Sequence, residues 1–423
     1  MIAVPVLLLQ LIAILGVARL LSVLLRRFHQ PPVIGEMLAG IALGPVVFGV
    51  LAPEWQAFLF AAESLGALDG LSQIGLVLFM FIVGAEVRLP DGARRHLGVS
   101  GVVGLLSVLL PMLFGFAISP LLHGEFAPHG VTFWPFALFM AASMSITAFP
   151  VMARILKERG MTDTPIGRLS LTSAALADVL AGFVLALVVA LLSSQAGMSR
   201  FAVTIGGSLA LAWFGFAVLR PWLARRFARH APDGQPSTGM LAAILILVFA
   251  GAAATSALGL HAVFGAFLIG AILPRDNRLL ACLIERIEYL AVIVLMPVFF
   301  ALAGLSMTTD AFAGAGMVAL GLVLAAAIFG KLLGGTLGAR VAGHGWAESM
   351  AVGSLMNARG LMELIVIKIG LDVGVIGGEI FTLLMIMAVV TTLMTSPLLV
   401  AFTRLAGRTR PVAQAMQTQR NLP

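Results

Sequence analysis

The sequence predicts an all-α protein that crosses a membrane thirteen times, built as two inverted repeats of six helices. Three observations carry this. Of the 423 residues, 60% are hydrophobic and only 11% charged, with a mean hydropathy of +1.08; soluble domains carry about 25% charged residues. Apolar stretches of about 20 residues, the length that spans a bilayer, recur along the chain. Three sequence patterns also return in the same order in the second half.

The predicted spans cover about residues 2–25, 32–52, 66–87, 97–122, 132–156, 167–193, 201–223, 238–258, 261–274, 287–307, 312–339, 347–370 and 378–403. The first has no basic leader and no small-residue cleavage site, so it reads as a retained span. Basic residues fill alternate loops: Arg26 and Arg27; Arg88, Arg94 and Arg95; Lys157, Arg159 and Arg168; Arg220, Arg225, Arg226 and Arg229; Arg275, Arg278 and Arg286; Arg340; and the tail from Arg404. The loops between them carry mostly acids, such as Glu54, Glu63, Glu125, Asp310 and Glu379. This bias predicts a cytoplasmic C-terminus and, with an odd span count, an external N-terminus.

The repeat is read from three matches. Val33-Ile-Gly-Glu-Met-Leu-Ala-Gly40 corresponds to Val263-Phe-Gly-Ala-Phe-Leu-Ile-Gly270, and Phe79 with Gly84 to Phe299 with Gly304. Thr147-Ala-Phe-Pro-Val-Met-Ala-Arg-Ile155 corresponds to Asn357-Ala-Arg-Gly-Leu-Met-Glu-Leu-Ile365. The offset of seven spans is odd, so the halves lie in opposite orientations. The chain divides into repeat one (about 1–195), a linker helix (about 200–223), repeat two (about 238–403) and a basic cytoplasmic tail (404–423), expected to be disordered.

Composition and motifs exclude several classes. The net charge of +7 sits in loops between spans, which argues against nucleic-acid binding. A single cysteine, Cys282, excludes an intrachain disulfide or a cysteine metal cluster. No paired Gly-x-Gly-Asp and no His-Glu-x-x-His motif supports an intramembrane enzyme, and no Gly-x-Gly-x-x-Gly follows a strand pattern, so no nucleotide-binding domain is expected.

Chemistry is expected where the apolar pattern is broken. Span five is interrupted at Thr147-Ala148-Phe149-Pro150, and span six carries Asp178 near its middle. A carboxylate at mid-bilayer costs about 2.5–3.5 kcal/mol even on insertion scales, and a proline frees backbone groups that lipid cannot satisfy. Together they suggest a site for a small cation or a proton; the alternative is a kink beside a structurally paired acid. Interrupted helices at equivalent places in inverted repeats point the same way. Thr147 and the carbonyls of the break, including that of Ala148, would supply neutral oxygens, and Thr172 and Ser173 hydroxyls. Lys331 is a second intramembrane charge, with snorkelling to an interface as its bland reading. At the second break, Asn357, Arg359 and Glu363 support the site: Arg359 and Glu363 are four apart and can pair, or offset half-helix dipoles.

At these residues the chain resembles the monovalent cation/proton antiporters, in the branch that includes bacterial sodium/proton and potassium/proton antiporters and plant cation/proton exchangers. The motifs are Gln30-Pro-Pro-Val-Ile-Gly-Glu-Met-Leu-Ala-Gly-Ile-Ala-Leu-Gly-Pro45, Phe81-Ile-Val-Gly-Ala-Glu86, Ser145-Ile-Thr-Ala-Phe-Pro-Val-Met-Ala-Arg154, Ala177-Asp178, Gly330-Lys331 and Met356-Asn-Ala-Arg-Gly-Leu-Met-Glu363. The resemblance implies the sodium/proton antiporter fold, with a dimerisation part and a mobile core in which two discontinuous helices cross. It implies a homodimer in the cell's inner membrane, with Asp178 as the shared ion and proton site and Lys331 pairing with it until a cation binds. The transported ions, Na⁺, K⁺ or Li⁺ against H⁺, are the only ligands implied, and no cofactor is. Where relatives usually place Asp or Asn, this chain has Ala177, so electroneutral exchange is expected. A channel-like potassium pathway and a transport-inactive sensor of the same fold are the alternatives.

Overall fold

The computed structural model describes residues 3–28, 30–86, 93–162, 164–177, 180, 198–230, 237–258, 260–274 and 277–420, and their regular structure is helical. The helices are α1 (Ala3–Arg26), α2 (Pro32–Leu43), the short α3 (Phe48–Leu51) and α4 (Pro53–Leu59), α5 (Leu65–Glu86), α6 (Ala93–Phe126), α7 (Phe133–Ser145) and α8 (Phe149–Glu158). Residues 165–177 form α9. There follow α10 (Met198–Phe214), α11 (Arg220–His230), α12 (Thr238–Ala257), α13 (Ala262–Ile272), α14 (Asn277–Leu290) and α15 (Met296–Leu305). The last four are α16 (Gly316–Val341), α17 (Trp346–Met356), α18 (Leu361–Asp372) and α19 (Gly378–Arg420).

Among the described residues nine helices are long and apolar enough to cross a membrane, and α7 and α13 are shorter apolar helices. Thirteen spans are compatible with this, because α7–α8, α9, α13 and α17–α18 fall at the predicted fifth, sixth, ninth and twelfth spans. Two details differ from the sequence reading. Span seven, expected to end near residue 223, runs on: a π-helical turn, Gly215–Leu219, leads into α11, which runs to His230. The same arrangement recurs where Ala291–Leu295 precedes Pro297 in α15. A π turn widens the backbone just before the proline ring and relieves its clash with the preceding turn. The second difference is the tail, which continues α19 as a helix to Arg420; its alanines, glutamines and arginines are good helix formers.

The chain forms two compact units, and each draws segments from both sequence halves. The first comprises Met1–Leu21, Glu36–Arg88 and Ala186–Met307. Ile14, Leu43, Phe60, Leu68, Val298 and Ala301 make a core cluster there. Several of its close helix contacts are made by the repeated glycines. A Cβ on Gly304 would lie 1.8 Å from the Gly40 carbonyl oxygen, and one on Gly84 would lie 2.1 Å from that of Phe267. A Cβ on Gly270 would lie 2.2 Å from the Phe81 oxygen. Gly40 and Gly84 of the first repeat thus meet the segments that carry Gly304 and Gly270 of the second. That is the reciprocal exchange a two-fold related repeat generates. Gly304→Ala and Gly84→Ala are each expected to cost about 1–3 kcal/mol through overpacking, with similar losses at the two repeat-related positions in detergent unfolding.

The second unit comprises Ser22–Gly35, Leu89–Leu185 and Thr308–Pro423. Here α16 lies along α6 through glycines spaced four apart. Cβ atoms on Gly330, Gly334 and Gly338 would lie 2.8 Å from Pro111 Cα, 2.6 Å from Leu106 O and 2.6 Å from Val103 Cα. This small-residue seam brings Lys331, next to Gly330, against the middle of α6.

Candidate functional site

Two helix interruptions meet inside the second unit. α7 ends at Ser145 and α8 begins at Phe149; α17 ends at Met356 and α18 begins at Leu361. The N–H of Ala148 donates to the carbonyl of Ala358 at 3.0 Å, joining the two breaks through main-chain atoms. Gly360 lets α8 approach the second break, since a Cβ there would lie 2.7 Å from Val151 Cγ2. Pro150 sits in the first turn of α8, where a helix does not need its N–H. Among the backbone groups that the interruption leaves without intrahelical partners are the last carbonyls of α7.

Those four carbonyls are accounted for. Ala142 O accepts from Ser145 Oγ at 2.7 Å. Arg359 donates to Ser143 O at 3.4 Å and to Met144 O at 3.0 Å. Ser145 O accepts from Lys331 Nζ at 2.5 Å. Two fully buried cations thus cap one helix C-terminus, the end at which the macrodipole is negative. Glu363, also fully buried, lies in the first turn of α18, at the opposite pole, and accepts from Arg359 Nη1 at 2.6 Å.

Lys331 makes two further contacts. Its Nζ donates to Thr147 Oγ1 at 2.7 Å and to Ser107 O at 3.0 Å. The second acceptor is available because Pro111, four residues on in α6, has no N–H to offer it. Ser107 was absent from the sequence reading; the signal was a proline four positions later, which becomes informative once α16 is known to lie there. A related use of proline appears in α19, where Leu393 O, four residues before Pro397, accepts from Gln30 Nε2 at 3.3 Å.

α19 secures the second break. Asn357 Nδ2 donates to Thr391 O at 3.1 Å, and the Arg359 N–H to Thr392 Oγ1 at 3.0 Å. Neither threonine was singled out by the sequence reading. α9 packs on α6, with Gly104 against the Ser173 carbonyl. Ser170, Ser173 and Ala177 share one buried face of α9. Thr172 is committed, donating to Arg168 O at 2.9 Å, whereas the Ser170 and Ser173 hydroxyls have no hydrogen-bond partner among the described residues. Asn357 Oδ1 and Glu363 Oε2 are likewise without one. Asp178 lies outside the described residues, immediately after Ala177. The structure therefore brings Thr147, Ala148, Pro150, Lys331, Asn357, Arg359 and Glu363 to one crossing, and describes Ser173 on a helix beside α6.

Such an arrangement holds ionisable groups and uncommitted oxygens in the protein interior. Comparison with known proteins gives the family and the fold. A family described as sodium/hydrogen exchanger, transmembrane, matches residues 11–401. The chain is 40% identical over 397 residues to the Na(+)/H(+) antiporter NhaS4 of Synechocystis, covering 92% of this chain and 95% of that protein. It is 37% identical to Cation/H(+) antiporter 17 of Arabidopsis thaliana (94% of this chain, 48% of the relative). It is 34% identical to K(+)/H(+) antiporter 1 of Saccharomyces cerevisiae (91% and 45%). It thus spans nearly all of the cyanobacterial relative and about half of the plant and yeast ones. The solved structure of a sodium/proton antiporter from Methanocaldococcus jannaschii superposes with a TM-score of 0.60 over 94% of this chain and 97% of that one, at 16% identity, which establishes a shared fold. With its helical architecture, interrupted helices and family match, the chain is a multi-pass membrane protein that belongs to the sodium/hydrogen exchanger family.

Proposed function

We propose that this chain exchanges a monovalent cation for protons across the inner membrane, with Asp178 as the shared binding group. The observation that carries the reading is the pair of joined breaks with ionisable side chains buried around them. Among the described residues the crossing holds two cationic side chains, Lys331 and Arg359, and one carboxylate, Glu363. A further carboxylate balances charge that would otherwise be costly in a low-dielectric interior. In sequence Asp178 directly follows Ala177, which shares the buried face of α9 with Ser170 and Ser173. The relatives' names include sodium and potassium, which keeps both as candidate cations. Asp178 binds either the cation or a proton, and competition for one carboxylate suffices for obligatory exchange, because the empty charged site is expensive to carry across. Thr147 and Ser173 offer oxygen ligands to the cation. Ala177 leaves one carboxylate at this position, which favours electroneutral exchange. The protein works as a homodimer with its C-terminus in the cytoplasm, and the second compact unit is the part that carries the ions.

The test uses liposomes with an internal pH dye, a preset proton gradient, and Na⁺, K⁺ or Li⁺ added in turn. One cation should dissipate the gradient, with no response in Asp178→Asn and no change when the voltage is clamped. A well-folded wild-type protein that responds to none of the three cations would overturn the proposal.

A further inference from the structure

The helix that follows the first repeat leaves the apolar zone in an ordered way. Along α10 and the π turn after it, Val203, Leu209, Trp213 and Phe216 are exposed. The helix continues into α11, Arg-Pro-Trp-Leu-Ala-Arg-Arg-Phe-Ala-Arg-His, which contains four arginines and no acid. α11 buries Leu223 and Phe227, spaced four apart, within the protein. Its other face presents Trp222, 48% exposed, with Arg225 and Arg226 three and four residues further on and also exposed. The Arg226 guanidinium stands 5.8 Å over the Trp222 ring. Arg225 Nε donates to Pro221 O at 3.2 Å.

On the exposed face the apolar side chains of α10 are followed by the Trp222 indole and then by the guanidinium groups of Arg225 and Arg226. This order matches the depth profile of one bilayer leaflet: acyl chains, interface, headgroups. A basic segment directly adjoining a spanning helix attracts anionic lipid. Arginine suits this use because its planar fork engages two phosphate oxygens at once and stacks on an aromatic face. The buried Leu223 and Phe227 fix which face turns outward, so the arginines are held in place by the fold.

We propose that the Trp222, Arg225 and Arg226 face of α11 binds the phosphate groups of anionic phospholipids in the leaflet where the helix leaves the bilayer. This goes beyond the exchange reaction and does not depend on it.

The probe is phosphatidylglycerol against phosphatidylcholine, scored on the full chain by native mass spectrometry of retained lipid. Wild type should retain phosphatidylglycerol in preference. Arg225→Gln combined with Arg226→Gln should weaken that retention by at least about tenfold. Arg404→Gln with Arg408→Gln, in the basic tail, should leave it unchanged. Equal retention in wild type and the α11 double variant, or an equal loss in the tail variant, overturns the proposal. Should the α11 double variant fail to fold, photoactivatable phosphatidylglycerol on the wild-type protein decides: cross-links on α11 peptides support the site, and cross-links confined elsewhere overturn it. Neither readout requires transport, so failure here leaves the exchange proposal intact, and the reverse holds too.

Discussion

Arg359→Met is expected to destabilise the protein by about 3–5 kcal/mol, the range for removing one partner of a buried ion pair. Two effects combine. Glu363 is left fully buried without its 2.6 Å partner, and the carbonyls of Ser143 and Met144 at the end of α7 lose their donors. The two contributions are separable. Combining Arg359→Met with Glu363→Leu removes both charges and should recover most of the electrostatic loss, because replacing a whole buried pair by apolar side chains is often close to neutral. The double variant should remain below wild type by about 1–3 kcal/mol for each carbonyl left unpaired and dry. Denaturant or thermal unfolding in detergent, run on wild type, both singles and the double, gives the coupling directly. Full recovery in the double variant would show that the carbonyls had found other donors.

Lys331→Met should also be costly, because it withdraws donors from Ser107 O, Ser145 O and Thr147 Oγ1 together. At about 1–3 kcal/mol for each buried group left unsatisfied, it is the second large loss expected. One part of it can be returned at a distance. Pro111→Ala restores an N–H that can donate to Ser107 O within α6. In the wild-type background this gain competes with the lysine for the same oxygen and should be small. In the Lys331→Met background the carbonyl has lost its donor, so Pro111→Ala should restore about 1 kcal/mol. Equal effects of Pro111→Ala in both backgrounds would mean that proline and lysine are not coupled through Ser107.

Parts of this arrangement are legible in the sequence. Pro150 and the Asn357-Ala-Arg-Gly360 segment mark the two interruptions, because each offends the regular pattern of an apolar helix. The spacing of Arg359 and Glu363 allows their pairing, since residues four apart share a helix face. The repeated glycines, Gly40 with Gly270 and Gly84 with Gly304, disclose the two halves before any contact between them is known. What the sequence does not disclose is which oxygen each buried cation takes. Lys331 reaches Ser107 across 224 positions, and Arg359 reaches Met144 across 215. Neither partner carries a distinctive side-chain signal, because both acceptors are carbonyls. Thr392 is hidden for a similar reason: in sequence it is one threonine in an apolar helix. The run of the helix past residue 223 is not legible either, because a π turn depends on local geometry that proline content alone does not report.

The link between Ala148 and Ala358 has an implication for how this protein varies. Both atoms belong to the main chain, so substitutions that change only the side chains leave donor and acceptor in place. Proline at 148 is the one coded replacement that deletes the donor, and no coded replacement deletes the acceptor. Side chains around the two interruptions can therefore change freely, while this tie persists through every replacement except proline at 148.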